Sequence, residues 1–303
     1  MKGRNAFAGV IMDVDLRLLR VFLNIVNFGG ITQAALELNI DRSTVSKHLS
    51  DLETRLGMRL CERGRQGFSL TPFGEQVHLS AQELMTSIDG FASAVAGYKG
   101  HLNGSFNFAF ADGSLKNPEA ELEKAFDRFC RIAPEVHVTI NVCSANEIER
   151  GVIDGKYHVG LAPFHHSIVG LRHKYLFSEE AKLYCAEGHP LFGRAYEDIS
   201  LKDIRQSSYV SWGYFIDKKL INRTLEFTPC ATVVNNEGAA ALILSGQYIG
   251  FLPVHYAQPW VSANRLRALA PDIAYYKKPM SLIFKTDQSE QPLITAFIDA
   301  ATS

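Results

Sequence analysis

The sequence predicts an α/β protein led by an all-α N-terminal segment, with one long helix joining that segment to an α/β body. Three observations predict it. Apolar residues between positions 16 and 95 recur at steps of three and four, which is helical spacing. From position 105 onward, short apolar or alternating runs take turns with helical stretches, as in parallel α/β folds. The 303 residues, 47% hydrophobic and 21% charged, suffice for two or three packed units.

The first helix carries its stripe on Leu16, Leu19, Phe22, Leu23 and Val26, and Gly29 and Gly30 stop it. Thr32 offers a cap oxygen for a short helix over 33–38, where Ala34 and Ala35 let another helix cross closely. Asn39 and Ile40 make a turn. Asp41 then caps a third helix with the stripe Val45, Leu49, Leu52 and Leu56, which Gly57 ends. The opposite face of that helix reads Arg42, Ser43, Ser46, Lys47 and Ser50. Such a face suits a major groove: cations meet phosphates and guanine edges, and small hydroxyls allow close approach. A solvated amphipathic helix looks the same in isolation. The order around it, a short helix, a tight turn and a polar-faced helix, is that of a helix-turn-helix.

Residues 60–70 read as two short strands around a glycine-rich turn, a wing with Arg63 and Arg65 at its tip, within reach of a phosphate backbone or a minor groove. Thr71 and Pro72 open a long helix as cap and first helical residue. Its apolar residues Val77, Ala81, Leu84, Ile88, Phe91 and Val95 form a heptad seam, which wants a partner helix; a single domain could also cover it. Gly97, Gly100 and Gly104 then read as a linker.

In the body, strands are expected at 105–110, 136–142 and 159–162, with a loop at 111–117 and helices at 118–132 and 147–155. A second lobe is expected from Phe177, with strands at 182–186, 209–212, 231–235 and 250–252 and helices at 201–205 and 238–245. A strand at 282–285 and a helix at 293–300 return to the first lobe.

Charge is uneven. Residues 1–72 hold ten Lys/Arg against seven Asp/Glu; the remainder holds 21 against 25. A basic head on an acidic body fits a nucleic-acid partner. The five cysteines, Cys61, Cys130, Cys143, Cys185 and Cys230, are scattered without a C-x-x-C pair, which points to free thiols in a reducing compartment rather than a disulfide frame or zinc site. A redox-sensing thiol would have to be exposed and acidic. The apolar run at 6–12 is too short for a membrane span, so a cytoplasmic protein with no membrane partner is expected, residues 1–11 forming a loose tail. His165 and His166 lack a further ligand at metal spacing, and no nucleotide or hydrolase motif occurs, so neither metal, cofactor nor enzymatic activity is expected.

Residues 15–75 resemble the DNA-binding domain of LysR-type transcription regulators. The likeness is carried by Ala34 and Ala35, by Leu52, Glu53, Leu56 and Gly57, by Arg59, Leu60, Glu62 and Arg63, and by Leu70, Thr71 and Gly74. Ser43 and Cys61 depart from the family's usual proline and phenylalanine. More diffusely, Gly155, the Gly188-His189-Pro190-Leu191 turn and residues 244–253 resemble the family's effector domain, itself similar to the type 2 periplasmic binding proteins; His158 stands where the family has aspartate.

The resemblance implies three parts: a winged helix-turn-helix at 13–71 (helix-turn-helix about 31–50), a linker or dimerisation helix at 72–100, and a two-lobed effector-binding domain at 103–303. Lobe I would be 103–176 with 275–303, and lobe II 177–274. It implies a sequence-specific regulator of inverted-repeat double-stranded DNA, assembling to a homodimer or tetramer and controlled by a small-molecule effector. Thr32, Gln33, Arg42, Ser43, Thr44, Ser46, Lys47, Arg63 and Arg65 would face DNA. Between the lobes, strand ends and helix N-termini favour anions, and mapping the resemblance there points to Gly113, Ser114, Ser144, Pro163, Phe164, Ser211, Trp212, Asn235 and Asn236. Phe164 and Trp212 could stack on a ligand or simply be core. An enzyme on the α/β body and a secreted solute-binding protein are the rival readings; the first lacks a catalytic set, the second a secretion signal.

Overall fold

The structure is a computed structural model and describes residues 13–64, 67–97, 102–164, 167–213 and 227–303. The chain divides into two compact units, Met1–Asp89 and Gly90–Ser303.

The first unit begins with α1 (Asp13–Asn27), α2 (Ile31–Glu37) and α3 (Arg42–Leu56), followed by a hairpin of β1 (Cys61–Gly64) and β2 (Gly67–Leu70) and by α4 (Pro72–Gly97). Phe22, Ile25, Ala34, Val45, Leu49, Leu52 and Leu60 are fully or almost fully buried in one core. Each large member contributes roughly 1.5–3 kcal/mol relative to exposure. Thr32 is not the cap of α2. The helix starts one residue before it, and Gly30, at φ 145°, holds the cap position and accepts the Ala34 N–H through its carbonyl. Asp41 does sit at the N-cap of α3, but its carbonyl rather than its side chain takes the Thr44 and Val45 N–H groups. Thr71 caps α4: its Oγ accepts from Gly74 N at 2.9 Å and donates to the Arg59 carbonyl at 2.8 Å.

The second unit alternates strands and helices from the start: β3 (Asn103–Phe110), α5 (Leu122–Ile132), β4 (Glu135–Val142), α6 (Ala145–Ile153) and β5 (Val159–Pro163). Next come β6 (Leu171–Ala186), α7 (Leu201–Gln206), β7 (Tyr209–Trp212), β8 (Pro229–Val233), α8 (Asn236–Leu244) and β9 (Ile249–Pro253). The unit closes with α9 (Val254–Ser262), β10 (Leu266–Ala268), β11 (Tyr275–Lys285) and α10 (Pro292–Thr302). One nine-stranded sheet runs β4-β3-β5-β11-β6-β9-β7-β8, with β10 on β6. β4, β3 and β5 are parallel, as the β-α-β-α-β pattern requires; so are β8, β7 and β9. The long antiparallel strands β6 and β11 connect the two groups. Phe106, Phe108, Phe129 and Phe297 interlock in the core of the first group. Ile249, Phe251 and Tyr276 anchor one core of the second, and Trp212, Ile243 and Leu252 the other.

Several expected bounds move. Gly104 is not linker but lies in β3, paired with Val136. The helix expected from 118 begins at Leu122, after Glu121 turns through positive φ. The strand expected at 182–186 is the end of a 16-residue strand, and that at 282–285 the end of an 11-residue one. α9 was not expected, because Pro259 lies inside it. His158, which replaces the family's aspartate, is buried; its Nδ1 accepts the Asn107 N–H at 2.9 Å while its ring stacks on Phe106. His165, His166, Arg65 and Gly100 lie outside the described residues.

Candidate nucleic-acid interface and ligand cleft

α3 turns Val45, Leu49 and Leu52 into the core and leaves Arg42, Ser43, Lys47 and Ser50 exposed, with Thr44 and Ser46 half-buried beside them. On the preceding helix Thr32 and Gln33 are exposed. Arg63 is a β1 residue paired with Phe68 across the hairpin.

Three contacts hold this face in place, and none was anticipated from sequence. The Asp15 carboxylate, fully buried, forms an ion pair with Arg55, whose Nη2 donates to Oδ2 at 3.0 Å, binding α1 to α3. Arg17 Nη2 donates to His48 Nε2 at 2.9 Å on the same pair of helices. Burial, then the Arg17 charge, holds the His48 pKa below its ordinary value. Glu53 Oε1 accepts from the Leu60 and Cys61 N–H groups at 2.8 and 3.3 Å, which ties the base of the wing to α3. That gives Glu53 of the Leu52-Glu53 pair a physical role.

In the second unit, two adjoining cavities open where β3, β4 and β5 end opposite the N-terminus of α8. The larger, about 570 Å³, is lined by Asp112, Gly113, Lys116, Ser144, Glu147, Asn235, Glu237 and Tyr256, with Phe110, Leu115, Val142, Cys143 and Val234 as its less polar wall. An inner recess of about 20 Å³ is lined by Asp112, Ser144, Pro163, Glu179, Trp212, Asn236, Lys278 and Met280, among others. Ser144 and Glu147 form a capping box on α6, and this hydrogen bonding holds the Glu147 pKa down. Asn235 Oδ1 accepts from Gly238 N at 2.8 Å to cap α8. Asn236 N donates to Asp112 Oδ2 at 2.5 Å, and Asn236 Nδ2 donates to the Asp112 carbonyl at 2.9 Å. Desolvation pushes the Asp112 pKa up despite that N–H. Gly113 is at φ 80°, and a Cβ there would approach Asn236 Nδ2 to 2.6 Å. Below them Glu179 and Lys278, both buried, pair at 2.7 Å, and His255 Nε2 donates to the Gly113 carbonyl at 3.0 Å.

Of the residues mapped to this region, the cavities bring together Gly113, Ser144, Pro163, Trp212, Asn235 and Asn236. Ser114, Phe164 and Ser211 are not on these walls. Ser114 is buried, Phe164 packs in a core and meets His173 edge to face, and Ser211 Oγ bonds within the β7–β8 pair. The cleft's charged groups, Asp112, Lys116, Glu147, Glu179, Glu237 and Lys278, escaped sequence reasoning. Asp112, next to Gly113 at the end of a strand, was the one signal that could have found them.

Known proteins give the same two parts. Residues 16–75 match the bacterial regulatory helix-turn-helix protein, lysR family, and residues 118–303 match the LysR substrate binding domain. The two together define a DNA-binding transcription regulator with a substrate-binding domain, not an enzyme. The HTH-type transcriptional activator BauR of Pseudomonas aeruginosa is 37% identical over 299 residues, covering 99% of this chain and 98% of that one. The chain belongs to the LysR family of bacterial regulators. Its fold is also that of CbnR solved with its target DNA, at a TM-score of 0.61 and 20% identity over 94% of this chain and 98% of the other. LysG of Corynebacterium glutamicum, solved with bound effector Arg, has a TM-score of 0.52 at 18% identity over 95% and 96% of the two chains.

Proposed function

We propose that this regulator reads a specific inverted repeat in double-stranded DNA and responds to a small molecule held between the two halves of its second unit. The observation that carries the DNA reading is the face of α3: Arg42, Ser43, Thr44, Ser46 and Lys47 are turned away from a packed apolar stripe. Thr32 and Gln33 flank that face, and the same reading assigns Arg63 and Arg65 to DNA contact. In this reading 13–71 is the DNA-binding domain, 72–100 the linker helix and 103–303 the effector domain. Its first lobe is 103–176 with 275–303, and its second is 177–274. No helix among the described residues is long and apolar enough to cross a membrane, and the protein works on DNA in the cytoplasm. The relative CbnR was solved on its target DNA and LysG with an effector, which supports both halves of the reading.

The test is DNA binding by the purified protein to the intergenic region beside its own gene and to a scrambled control, at two salt concentrations, with footprinting. A protected inverted repeat bound far above the control is the expected result. Equal binding to both sequences would refute specificity. In the same assay Lys47→Ala is expected to weaken binding and lower the salt slope by about 1, as for a lost phosphate contact. An unchanged slope would remove Lys47 from that role.

A further inference from the structure

The walls of the cleft carry four carboxylates, Asp112, Glu147, Glu179 and Glu237, against two lysines, Lys116 and Lys278. Lys278 is paired with Glu179 at 2.7 Å. Lys116 lies 5.1 Å from the centre of the Tyr256 ring. His255 faces the same region, 3.0 Å from the Gly113 carbonyl and 3.9 Å from Glu179. Helix N-termini usually seat anions, but the two that open here are closed from within. At α6, Ser144 and Glu147 satisfy each other's N–H groups. At α8, Asn235 takes the Gly238 N–H and the Asp112 carboxylate takes that of Asn236. An anionic ligand would meet carboxylates where it needs donors.

The inner recess supplies an independent observation. Asn236 is 3% exposed, and its Nδ2 is committed to the Asp112 carbonyl, which fixes Oδ1 as the acceptor. Among the described residues Oδ1 has no partner. An unpaired buried acceptor costs about 1–3 kcal/mol, so a donor that fits the recess relieves it. The recess, about 20 Å³, has room for one water-sized group. The Asp112 carboxylate lines both the recess and the larger cavity.

We infer that the cleft selects a small ligand bearing a protonated primary amine, whose ammonium enters the recess between Asp112 and Asn236. Its carbon body lies against Phe110, Leu115, Val142 and Val234 in the larger cavity. The inference rests on the reading that the effector binds between the halves of the second unit.

The experiment is calorimetric titration of the full-length protein with matched probes: amino acids, ω-amino acids and short diamines, each set against the compound with hydrogen in place of the amine. At least one amine is expected to bind, with its deaminated counterpart about tenfold weaker or worse. Asp112→Asn is expected to lose the amine by about tenfold while keeping the wild-type circular dichroism, since an amide oxygen still accepts the Asn236 N–H. Four results would overturn the inference: equal binding of the deaminated partner, unchanged affinity in Asp112→Asn, no binding by any amine, or a crystal of the amine complex with only water in the recess. Val234→Trp, which fills the larger cavity, separates this failure from that of the underlying reading. A nitrogen-free compound that Val234→Trp excludes leaves the cleft as the effector site and removes the amine. A compound that Val234→Trp does not affect removes the cleft itself.

Discussion

Gly74 and His48 show how single positions constrain the DNA-binding head. A Cβ at Gly74 would overlap the Leu60 backbone, carbonyl included, so α4 can pass the wing only where there is no side chain. Gly74→Ala is therefore expected to cost about 1–3 kcal/mol in urea unfolding, as overpacking does; unchanged stability would mean that α4 moves away freely. Burial, then the Arg17 charge, opposes protonation of His48. Because its native pKa lies below the ordinary 6.5, the unfolded chain takes up the proton first as pH falls. Stability is then lost from about pH 6.5 down to the lowered native value, and is present above it. Urea midpoints measured across that interval should fall less steeply in His48→Gln. An identical slope would show that His48 does not carry the linkage. The pairs Asp15–Arg55 and Glu179–Lys278 were invisible in the sequence because each joins residues far apart along the chain. A charge carries no mark of its partner, and composition alone assigns it to the surface.

The elements with strict apolar periodicity were legible to within a few residues. α3 is the clearest case, with Val45, Leu49 and Leu52 buried and Gly57 in the left-handed conformation at its end. β6 was not legible over its first eleven residues: His173, Lys174 and Tyr175 are all exposed, and the alternation of burial from Phe177 onward is masked in the sequence because a charged residue, Glu179, takes a buried position. The cleft was legible in Gly113, Ser144, Pro163, Trp212, Asn235 and Asn236, at strand ends and helix starts. Its charges were not, because Glu147, Glu179, Glu237 and Lys278 lie inside helices and strands, where a charged residue reads as surface. The wing depends on α3 through Glu53. Glu53→Ala leaves the Leu60 and Cys61 N–H groups without their acceptor and is expected to cost about 1–3 kcal/mol. It should weaken DNA affinity as well; a variant with full affinity would show that the wing is positioned without it.

For the whole molecule, the seam of α4 divides in two. Ala81 is buried, with Val77 and Leu84 packed beside it, whereas Phe91 and Val95 are 73% and 45% exposed. A large aromatic left open on a helical seam is the signature of a partner helix. Phe91→Asp is expected to shift the protein toward monomer in sedimentation and to weaken binding to a two-half-site operator more than to one half-site. An unchanged assembly would place the self-association surface elsewhere.

β6 and β11 leave one further mark on the molecule. They pair from Leu171 opposite Lys285 to Lys182 opposite Tyr275, and the only break in that register falls between Met280 and Ser281, with Met280 on the wall of the inner recess. Mechanically this is a leaf spring with a notch. Two continuous paired strands resist stretching and shear more than bending, and a bulge is where such a strand bends. On the proposal made above, an effector in the recess would sit against Met280, beside that notch, where a small push has the longest lever arm along both strands.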